Sequence, residues 1–293
     1  MKIGITGASG LIGSALVSSL RADGEDVVVF VRRPASAAGE RHWDGAHLAP
    51  EAVADLEAVV HLAGAGVGDK RWTPAYKRIV LDSRVKGTTG VANAVAQAGT
   101  PVLLSASAVG WYGDTGDVLT DETGHSGKGF LADVCRAWEA ATEPAQAARV
   151  AHLRTGIVLS AQGGALKKQL PIFKAGLGAP LGSGTQWLSW ISLADEVAAI
   201  RHLLRADVSG PVNLVSPNPV TNRDFTKVLG GVLHRPTAPI AVPGFVLKAA
   251  LGQFAEEGVL IGQRLAPHVL AASGFAFAHP DLQSALEVGL ERQ

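Results

Sequence analysis

A glycine-rich turn near the N-terminus constrains the fold of this chain more than any other feature. The run Thr6-Gly7-Ala8-Ser9-Gly10-Leu11-Ile12-Gly13 follows a short apolar segment, Lys2–Thr6, and opens an amphipathic segment, Leu11–Ala22. A phosphate group beside a helix N-terminus needs backbone N–H groups that no side chain covers, and it gains from the helix dipole. The turn therefore predicts a dinucleotide-binding unit, the alternative being a glycine-rich turn in another kind of α/β protein.

Each glycine of this turn has a separate expected role. We expect Gly7 to form the tight turn, Gly10 to allow close approach of a pyrophosphate, and Gly13 to let the helix pack on the strand. The predicted cofactor contacts in this turn are Gly7, Ser9, Gly10, Leu11, Ile12 and Gly13.

Strand-like and helix-like segments alternate over the first 160 residues. The apolar runs lack strict polar alternation, as expected of strands that are buried on both faces of a parallel sheet. Predicted strands are Lys2–Thr6, Asp26–Val31, Ala58–Leu62, Pro101–Ser105 and Val150–Leu159, and predicted helices are Leu11–Ala22, Pro74–Ala98 and Phe130–Ala148. This order predicts an α/β fold with a Rossmann-type, doubly wound parallel sheet.

The pattern changes after about residue 160. Residues 163–184 are rich in Gly and Pro and predict loops. Asp195–Leu204 and Thr221–Leu233 predict helices, with Asp195 and Thr221 near the caps, and Pro211–Val215 predicts a strand. We therefore predict a cofactor-binding core over residues 1–160 and a smaller C-terminal lobe on the substrate side over residues 161–293.

The end of the second predicted strand indicates which dinucleotide is bound. Sites for NAD usually place Asp or Glu about 20 residues after the glycine motif, to bind the ribose hydroxyls. Here Arg32 lies 19 residues after Gly13, and no carboxylate is next to it. A guanidinium pairs with a 2′-phosphate that an acid would repel, which favours NADP over NAD. The alternative is that Arg32 and Arg33 form a solvated turn.

Composition removes several classes of function. Lys and Arg together number 26 and so do Asp and Glu, which argues against a general nucleic-acid partner. No apolar stretch reaches the ~18 residues of a membrane span, so we expect a cytoplasmic protein without a membrane partner. The single Cys135 excludes a disulfide within the chain, and nine scattered His residues do not predict a metal site.

Several segments resemble the extended short-chain dehydrogenase/reductase superfamily. His61-Leu62-Ala63-Gly64 resembles its motif after the fourth strand, and Arg84-Val85-Lys86-Gly87-Thr88 resembles its Asn-Val-x-Gly-Thr segment, with Arg in place of Asn. The segment Ser105–Gly113 is similar to its fifth strand and following turn. The resemblance implies that Leu62, Ala63, Gly64, Arg32 and Arg84 contact an NADP cofactor.

The resemblance narrows to one subgroup, the epimerase family proteins related to NAD-dependent epimerases and dehydratases. The segments that carry it are Lys70–Thr73, Ser107–Gly113, Leu153–Ser160 with Gly163–Ala165, Gly182–Ile191, and Gly262–Pro267 followed by Ser273–Phe275. It implies a separate C-terminal module from about residue 240. It also allows a homodimer through the helices at residues 74–98 and 130–148, as extended members often form.

The usual catalytic pair of this superfamily is absent. Its Tyr-x-x-x-Lys motif places a proton-transferring Tyr and a Lys on one face of a helix. The chain has two Tyr residues, and Val80 and Gly116 stand four positions after Tyr76 and Tyr112. When the motif is aligned on Glu139, Cys135 takes the Lys position and Leu131 the Tyr position.

Two hydroxyl groups remain as catalytic candidates. Ser107 aligns with the catalytic Ser of the superfamily, and Tyr112 follows the fifth strand on the expected cofactor side. The alternatives are a turn residue for Ser107 and a packed aromatic for Tyr112. We predict an NADP-binding oxidoreductase or epimerase-like enzyme of atypical mechanism, acting on a small carbonyl, hydroxyl or sugar-type substrate. The alternative is a non-catalytic NADP sensor that has lost its acid/base pair.

Overall fold

Eleven strands and ten helices form the part of the protein that the computed structural model describes, residues 1–291. The strands are β1 (Lys2–Thr6), β2 (Asp26–Val31), β3 (Glu40–His42), β4 (Ala58–His61), β5 (Val102–Ala108), β6 (Arg149–Thr155), β7 (Ile157–Leu159), β8 (Trp187–Leu188), β9 (Trp190–Ser192), β10 (Gly210–Leu214) and β11 (Val220–Thr221). The helices are α1 (Leu11–Ala22), α2 (Pro74–Ala98), α3 (Phe130–Ala140), α4 (Gly164–Lys174), α5 (Leu193–Arg205), α6 (Asn222–Val232), α7 (Gly244–Leu251), α8 (Gln253–Gly258), α9 (His268–Ala272) and α10 (Leu282–Glu291).

The main sheet has seven parallel strands in the order β10-β6-β5-β4-β1-β2-β3, with helices flanking it. Strands β2 and β3 lie on one side of β1, and the later strands β4, β5, β6 and β10 lie on the other side. In doubly wound sheets, ligands bind at the carboxyl ends of the strands where this reversal occurs. The predicted Rossmann-type fold is confirmed, and its reversal point lies between β1 and β4.

The structure corrects several predicted boundaries. The predicted helix at residues 130–148 ends at Ala140, and a short 3-10 helix follows at residues 143–145. The predicted strand at 150–159 is two strands, because β6 belongs to the main sheet whereas β7 pairs with β9 in a separate two-stranded sheet. Strand β5 extends to Ala108, so Ser107 lies within the strand rather than after it.

The prediction that residues 163–184 form only loops is wrong, because α4 occupies Gly164–Lys174. Leu166, Leu170 and Phe173 are buried, and their spacing of four and three residues places them on one face of the helix. The high Gly and Pro content around them concealed this periodicity, and Pro171 lies inside the helix itself.

Two compact units divide the chain. The first comprises Met1–Ala108, Asp133–Arg154 and Val197–Val212, and the second comprises Val109–Ala132, Thr155–Glu196 and the chain from Asn213 onward. Each unit contains segments from both before and after residue 160. The predicted functional division into a cofactor half and a substrate half stays a prediction.

Each unit has its own apolar core. In the first, Phe30, Val59 and Leu103 from the sheet pack with Val91 and Val95 of α2. The core of the second joins side chains of β7, α4, β9, α6 and α10: Leu159, Leu166, Leu170, Phe173, Trp190, Phe225, Leu229, Leu282 and Leu286. No helix within residues 1–291 is long and apolar enough to cross a membrane.

Candidate functional site

The turn after β1 is built so that only glycine fits at Gly7. Its φ of +68° lies in the left-handed region, and a Cβ atom there would lie 2.7 Å from the carbonyl carbon of Leu62. A side chain at Gly7 would therefore be strained and would push β1 away from the chain that follows β4. Glycine at this position therefore allows the ends of β1 and β4 to approach each other closely at the reversal point of the sheet.

Gly10 and Gly13 differ in what surrounds them. Gly10 is the N-cap of α1, and a Cβ atom there would meet only Gly7 O, at 3.2 Å. A Cβ atom at Gly13 would lie 2.3 Å from Gly7 O, so the helix packs directly on the turn. No side chain caps α1 and no acidic residue lies in its first turn. The first N–H groups of a helix lack intrahelical acceptors, so this end suits a phosphate.

Among the other residues predicted in the turn, Ser9 is exposed, whereas Leu11 and Ile12 are partly buried. These three lie beside Gly10 at the helix start, so the predicted set forms one continuous piece of backbone. The residues present thus fit a pyrophosphate.

The two arginines after β2 have different environments. The Arg33 guanidinium bonds both carboxylate oxygens of Glu40, at 2.5 and 2.9 Å. This ion pair, with backbone N–H groups from Ser36 and Ala37, lowers the pKa of Glu40 to about 2. Arg32 is exposed and forms no hydrogen bond or ion pair with any residue of the described chain, 1–291. Arg32 is therefore the arginine that can receive an anionic group.

The start of the segment after β4 is hydrogen-bonded to the side chain of Thr6 at the end of β1. Thr6 Oγ1 lies 2.7 Å from His61 Nδ1 and accepts the Leu62 N–H at 3.1 Å. Burial lowers the pKa of His61 to about 4, so the ring is neutral at physiological pH. Leu62 and Ala63 are partly buried and Gly64 is exposed, which places these predicted contact residues at the surface of the reversal point.

Arg84 of α2 lies against this segment. Its Nη1 donates to Ala65 O at 2.8 Å and to Val80 O at 3.1 Å. The guanidinium carbon stands 4.7 Å from the ring centre of Trp138. Burial lowers the pKa of Arg84, although the group remains charged because the pKa of arginine starts so high.

Ser107 is part of a buried polar cluster in the first unit. Its hydroxyl donates to Glu139 Oε1 at 2.6 Å, and Arg154 donates from Nε to Oε1 at 2.8 Å and from Nη2 to Oε2 at 2.9 Å. All three side chains are buried. The hydroxyl proton of Ser107 is thus used in the bond to Glu139. Towards any further group, Ser107 Oγ can act only as a hydrogen-bond acceptor.

The Tyr112 hydroxyl, in the second unit, also donates a hydrogen bond to a buried side chain. Its hydroxyl donates to Asn213 Oδ1 at 2.7 Å, while Asn213 Nδ2 donates to Ala266 O at 3.0 Å. The ring is buried and packs with Val215 and Leu265. Sequence analysis did not identify Asn213, because the two partners are 101 residues apart in the chain.

Cys135, at the aligned Lys position, is buried, and its pKa is raised to about 12, chiefly by desolvation. The thiol is therefore neutral and inert. Lys70 Nζ lies 6.0 Å from the ring centre of Tyr76, the other tyrosine of the chain. No group of three or more metal-binding side chains occurs within the chain up to residue 291.

The second unit also holds an open cavity of about 480 Å3. Its lining includes Tyr112, Asp114, Thr115, Asp121 and His125. Elsewhere in this unit Trp190 is fully buried, whereas Trp187 donates to Asp117 Oδ1 at 2.7 Å and its ring centre lies 4.2 Å from the guanidinium carbon of Arg264.

Comparison with known proteins gives the family. A model of the NAD dependent epimerase/dehydratase family matches residues 3–215. The chain belongs to this family and has its NAD(P)-binding fold. A second model, a domain of unknown function called DUF1731, matches residues 242–288, in agreement with the module predicted from about residue 240.

The chain is similar over its whole length to several relatives. An epimerase family protein of Mycobacterium bovis is 47% identical over 289 residues, which cover 97% of this chain and 96% of that protein. The crystal structure of the human epimerase family protein SDR39U1 with NADPH superposes with a TM-score of 0.89 at 31% identity and covers 100% of both chains. The crystal structure of a nucleoside-diphosphate sugar epimerase from Corynebacterium glutamicum superposes with a TM-score of 0.83 at 36% identity, and the match covers 100% of this chain and 59% of that one.

Proposed function

We propose that this protein binds NADP, with the pyrophosphate on the turn Gly7–Gly13 and the 2′-phosphate on Arg32. The observation that carries the proposal is the contrast between Arg33, which Glu40 neutralises, and Arg32, which has no partner in residues 1–291. A free guanidinium at the end of the second strand matches the place where the ribose is read. The human relative, whose crystal structure contains NADPH, supports the same cofactor.

Titration of the protein with NADPH and with NADH tests the cofactor proposal. We expect tighter binding of NADPH in the wild type and loss of most of this preference in Arg32→Ala. A guanidinium–phosphate contact corresponds to about 10- to 100-fold in affinity. Arg33→Ala is the matched control, because it removes a neighbouring arginine that is already paired, and it should keep the preference. Equal binding of NADH and NADPH by the wild type would contradict the proposal.

We also propose that the protein is an oxidoreductase or epimerase-like enzyme of atypical mechanism. When bound, NADP supplies a hydride donor or acceptor, and the chain has to orient the substrate and move a proton. Ser107 contributes acceptor lone pairs, since its proton is directed to Glu139. This arrangement favours a substrate hydroxyl, which donates, over a carbonyl, which only accepts. The matching sugar-nucleotide epimerase from Corynebacterium glutamicum supports a hydroxyl-rich substrate class.

One observation favours the second candidate, a non-catalytic NADP sensor. Both candidate catalytic hydroxyls donate to buried internal acceptors, Ser107 to Glu139 and Tyr112 to Asn213. Proton transfer from Tyr112 requires that its bond to Asn213 break. In a sensor, both contacts serve only to hold the fold, and cofactor binding is the whole function.

A turnover screen separates the enzyme from the sensor. Aldehydes and ketones are offered with NADPH and alcohols with NADP, while the absorbance of reduced cofactor is followed. Nucleotide sugars are offered with either cofactor and their products are separated by chromatography, because epimerisation regenerates the cofactor and leaves its absorbance unchanged. Turnover that is lost in Ser107→Ala or Tyr112→Phe supports the enzyme. Ser105→Ala is the control, because this buried serine of the same strand has an Oγ without a partner in residues 1–291. Turnover unaffected by both variants would remove Ser107 and Tyr112 from the mechanism.

The remaining expectations are proposals of the same kind. We propose that the protein works in the cytoplasm on a small molecule, without a nucleic-acid partner, and that it forms a homodimer through α2 and α3. Light scattering at several protein concentrations gives the mass in solution, and a monomer throughout would contradict the dimer.

A further inference from the structure

The exposed apolar side chains of the second unit are concentrated in two segments. Nine large apolar side chains are exposed in the part of the chain that the structure describes, and six of them lie within residues 172–177 and 240–251. These six are Ile172, Leu177, Ile240, Phe245, Val246 and Leu251. Single exposed apolar residues are common on protein surfaces, whereas a group of them marks an interaction surface. The group therefore indicates a surface that a partner covers.

The two segments are joined by backbone contacts. The Ala238 N–H donates to Gly178 O at 2.7 Å, and a parallel bridge joins Leu181 to Val242. Helix α4 ends shortly before the first of these stretches, and α7 begins shortly after the second. The six side chains thus come from neighbouring stretches of backbone. We call the surface that carries them the α4–α7 face.

Helix α7 is apolar, yet no part of it is buried. Six of its eight residues are Phe, Val, Leu or Ala, and none of the eight is buried. Phe245 is 74% exposed. A surface helix of a globular protein normally turns its apolar side to the core. An apolar helix without a buried side is typical of a segment that lies in a membrane interface or against a partner.

The chain around the α4–α7 face carries charge of one sign. Residues 161–187 and 225–255 contain six Lys or Arg residues and no Asp or Glu. In the whole chain the two signs are equal, at 26 each. Positive charge is therefore concentrated next to the exposed apolar side chains, and a partner that matches this surface has to be both apolar and anionic.

Three of these cations belong to the α4–α7 face itself. Lys174, Arg235 and Lys248 are exposed, and each stands within five residues of an exposed apolar side chain. Lys248 pairs with Glu256 of α8 at 2.8 Å, so its charge is compensated in part. Arg235 forms no ion pair with any residue between 1 and 291. Its guanidinium is therefore available to an anionic group from outside the protein.

We propose that the α4–α7 face binds the surface of a membrane that contains anionic lipids. In this arrangement α7 lies in the plane of the interface, its apolar side chains enter the boundary between headgroups and acyl chains, and the cations contact the headgroups. Such binding needs no membrane span, which is the one kind of membrane contact that the length of the apolar runs addresses. The proposal is independent of the cofactor site.

A second copy of the chain matches this face less well than a bilayer does. In a symmetric dimer the same surface patch of both copies meets. Lys174 and Arg235 would then lie among the cations of the other copy, and like charges across an interface oppose association. A bilayer with anionic headgroups supplies an apolar phase and negative charge together, which is the combination that the face lacks.

Co-sedimentation of the whole protein with lipid vesicles tests the proposal. One set of vesicles contains phosphatidylcholine alone, and the other contains phosphatidylcholine and phosphatidylglycerol in equal parts. We expect the wild type to bind the anionic vesicles and to remain in solution with the neutral ones. Added salt should weaken the binding, because it screens the attraction between the cations and the headgroups.

Matched variants measure the apolar and the charged contributions separately. Phe245→Ser should weaken binding to anionic vesicles about 10-fold or more, because it removes an apolar side chain from the interface. Ile172→Ser should also weaken binding, whereas Ile79→Ser in α2 of the first unit should not, although the two side chains are 53% and 52% exposed. Arg235→Glu should weaken binding about 5-fold or more, and Arg78→Glu, at an exposed arginine next to Ile79, is its control.

The opposite results overturn the proposal. A wild type that binds neither kind of vesicle, or both kinds equally, contradicts it, and so does unchanged binding in Phe245→Ser and Arg235→Glu. Light scattering of the wild type and Phe245→Ser identifies a second copy as the occupant instead, if a dimer mass is lost in the variant. Thermal melting checks that each variant is folded, and Ile240→Ser, at a side chain that is 80% exposed, replaces Phe245→Ser if that variant does not fold.

Discussion

The two units treat a buried carboxyl group in opposite ways. Glu139 of the first unit receives two bonds from Arg154 and one from Ser107, so its charge is neutralised and its oxygens are satisfied. Glu196 of the second unit is fully buried, accepts one bond from Thr155 Oγ1 at 2.8 Å, and has an Oε2 without a partner in residues 1–291. Desolvation raises the pKa of Glu196 to about 8.

This difference separates a charged group from one that folds as a neutral acid. A buried ion pair holds its elements in one arrangement but leaves a costly charge if one partner is removed. A buried acid without a cation stays protonated and makes the stability depend on pH. The first unit is therefore expected to be sensitive to mutation at this site, and the second to the proton concentration.

The largest expected effect is on the first unit. Arg154→Met should lower the free energy of unfolding by about 3–5 kcal/mol, because it leaves Glu139 buried without its cation. Urea denaturation measured by circular dichroism gives the change. The double variant Arg154→Met with Glu139→Leu should regain most of the stability, since an apolar pair carries no buried charge. A double variant as unstable as the single one would mean that packing, and not the charge, holds the site.

The next largest effect is a pH-dependent change in the free energy of unfolding that arises from Glu196 in the second unit. Glu196 is protonated in the folded protein up to a pH near 8, whereas in the unfolded chain it ionises near pH 4.5. Unfolding therefore releases a proton between these values, so the contribution of this group falls as the pH rises, by up to about 1.4 kcal/mol per pH unit. Above the folded pKa the loss levels off.

Glu196→Gln tests this prediction, because glutamine imitates the neutral acid and does not titrate. The variant and the wild type should be about equally stable near pH 4.5, and the variant should become the more stable as the pH rises toward 8. Urea midpoints across this range measure the gap. Asp224→Asn, which removes an exposed carboxylate of the same unit, is measured over the same pH range as the control. A constant difference between Glu196→Gln and the wild type would contradict the raised pKa.

The distance along the chain between interacting residues explains which features could be predicted from sequence. The turn at Gly7–Gly13 is a local pattern, because strand, turn and helix lie within about 20 consecutive residues. The different environments of Arg32 and Arg33 depend on Glu40 in β3, a strand too short to show periodicity. The α/β class followed from repeated local signals, whereas these contacts depended on the tertiary fold.

The candidate catalytic residues show this limit most clearly. Ser107 and Tyr112 could be located in sequence, but their partners Glu139 and Asn213 lie 32 and 101 residues further along the chain. A pattern of residue types contains no information on which of many acceptors a hydroxyl meets in the fold. The helix α4 was missed for another reason, since its apolar spacing was present but lay among glycines and prolines.

The smallest expected effect is at two helix N-caps, one in each unit. Thr73 Oγ1 accepts the Tyr76 N–H at the start of α2, and Thr221 Oγ1 accepts the Asp224 N–H at the start of α6. Thr73→Ala and Thr221→Ala should each lower the free energy of unfolding by about 1 kcal/mol, and Thr→Ser at either position should retain most of it. Because caps act within one turn of backbone, the two losses should be alike even though the buried sites of the two units differ. Thermal and urea denaturation measure both, and a loss at one cap several times that at the other would show that the contrast between the units extends to their surface helices.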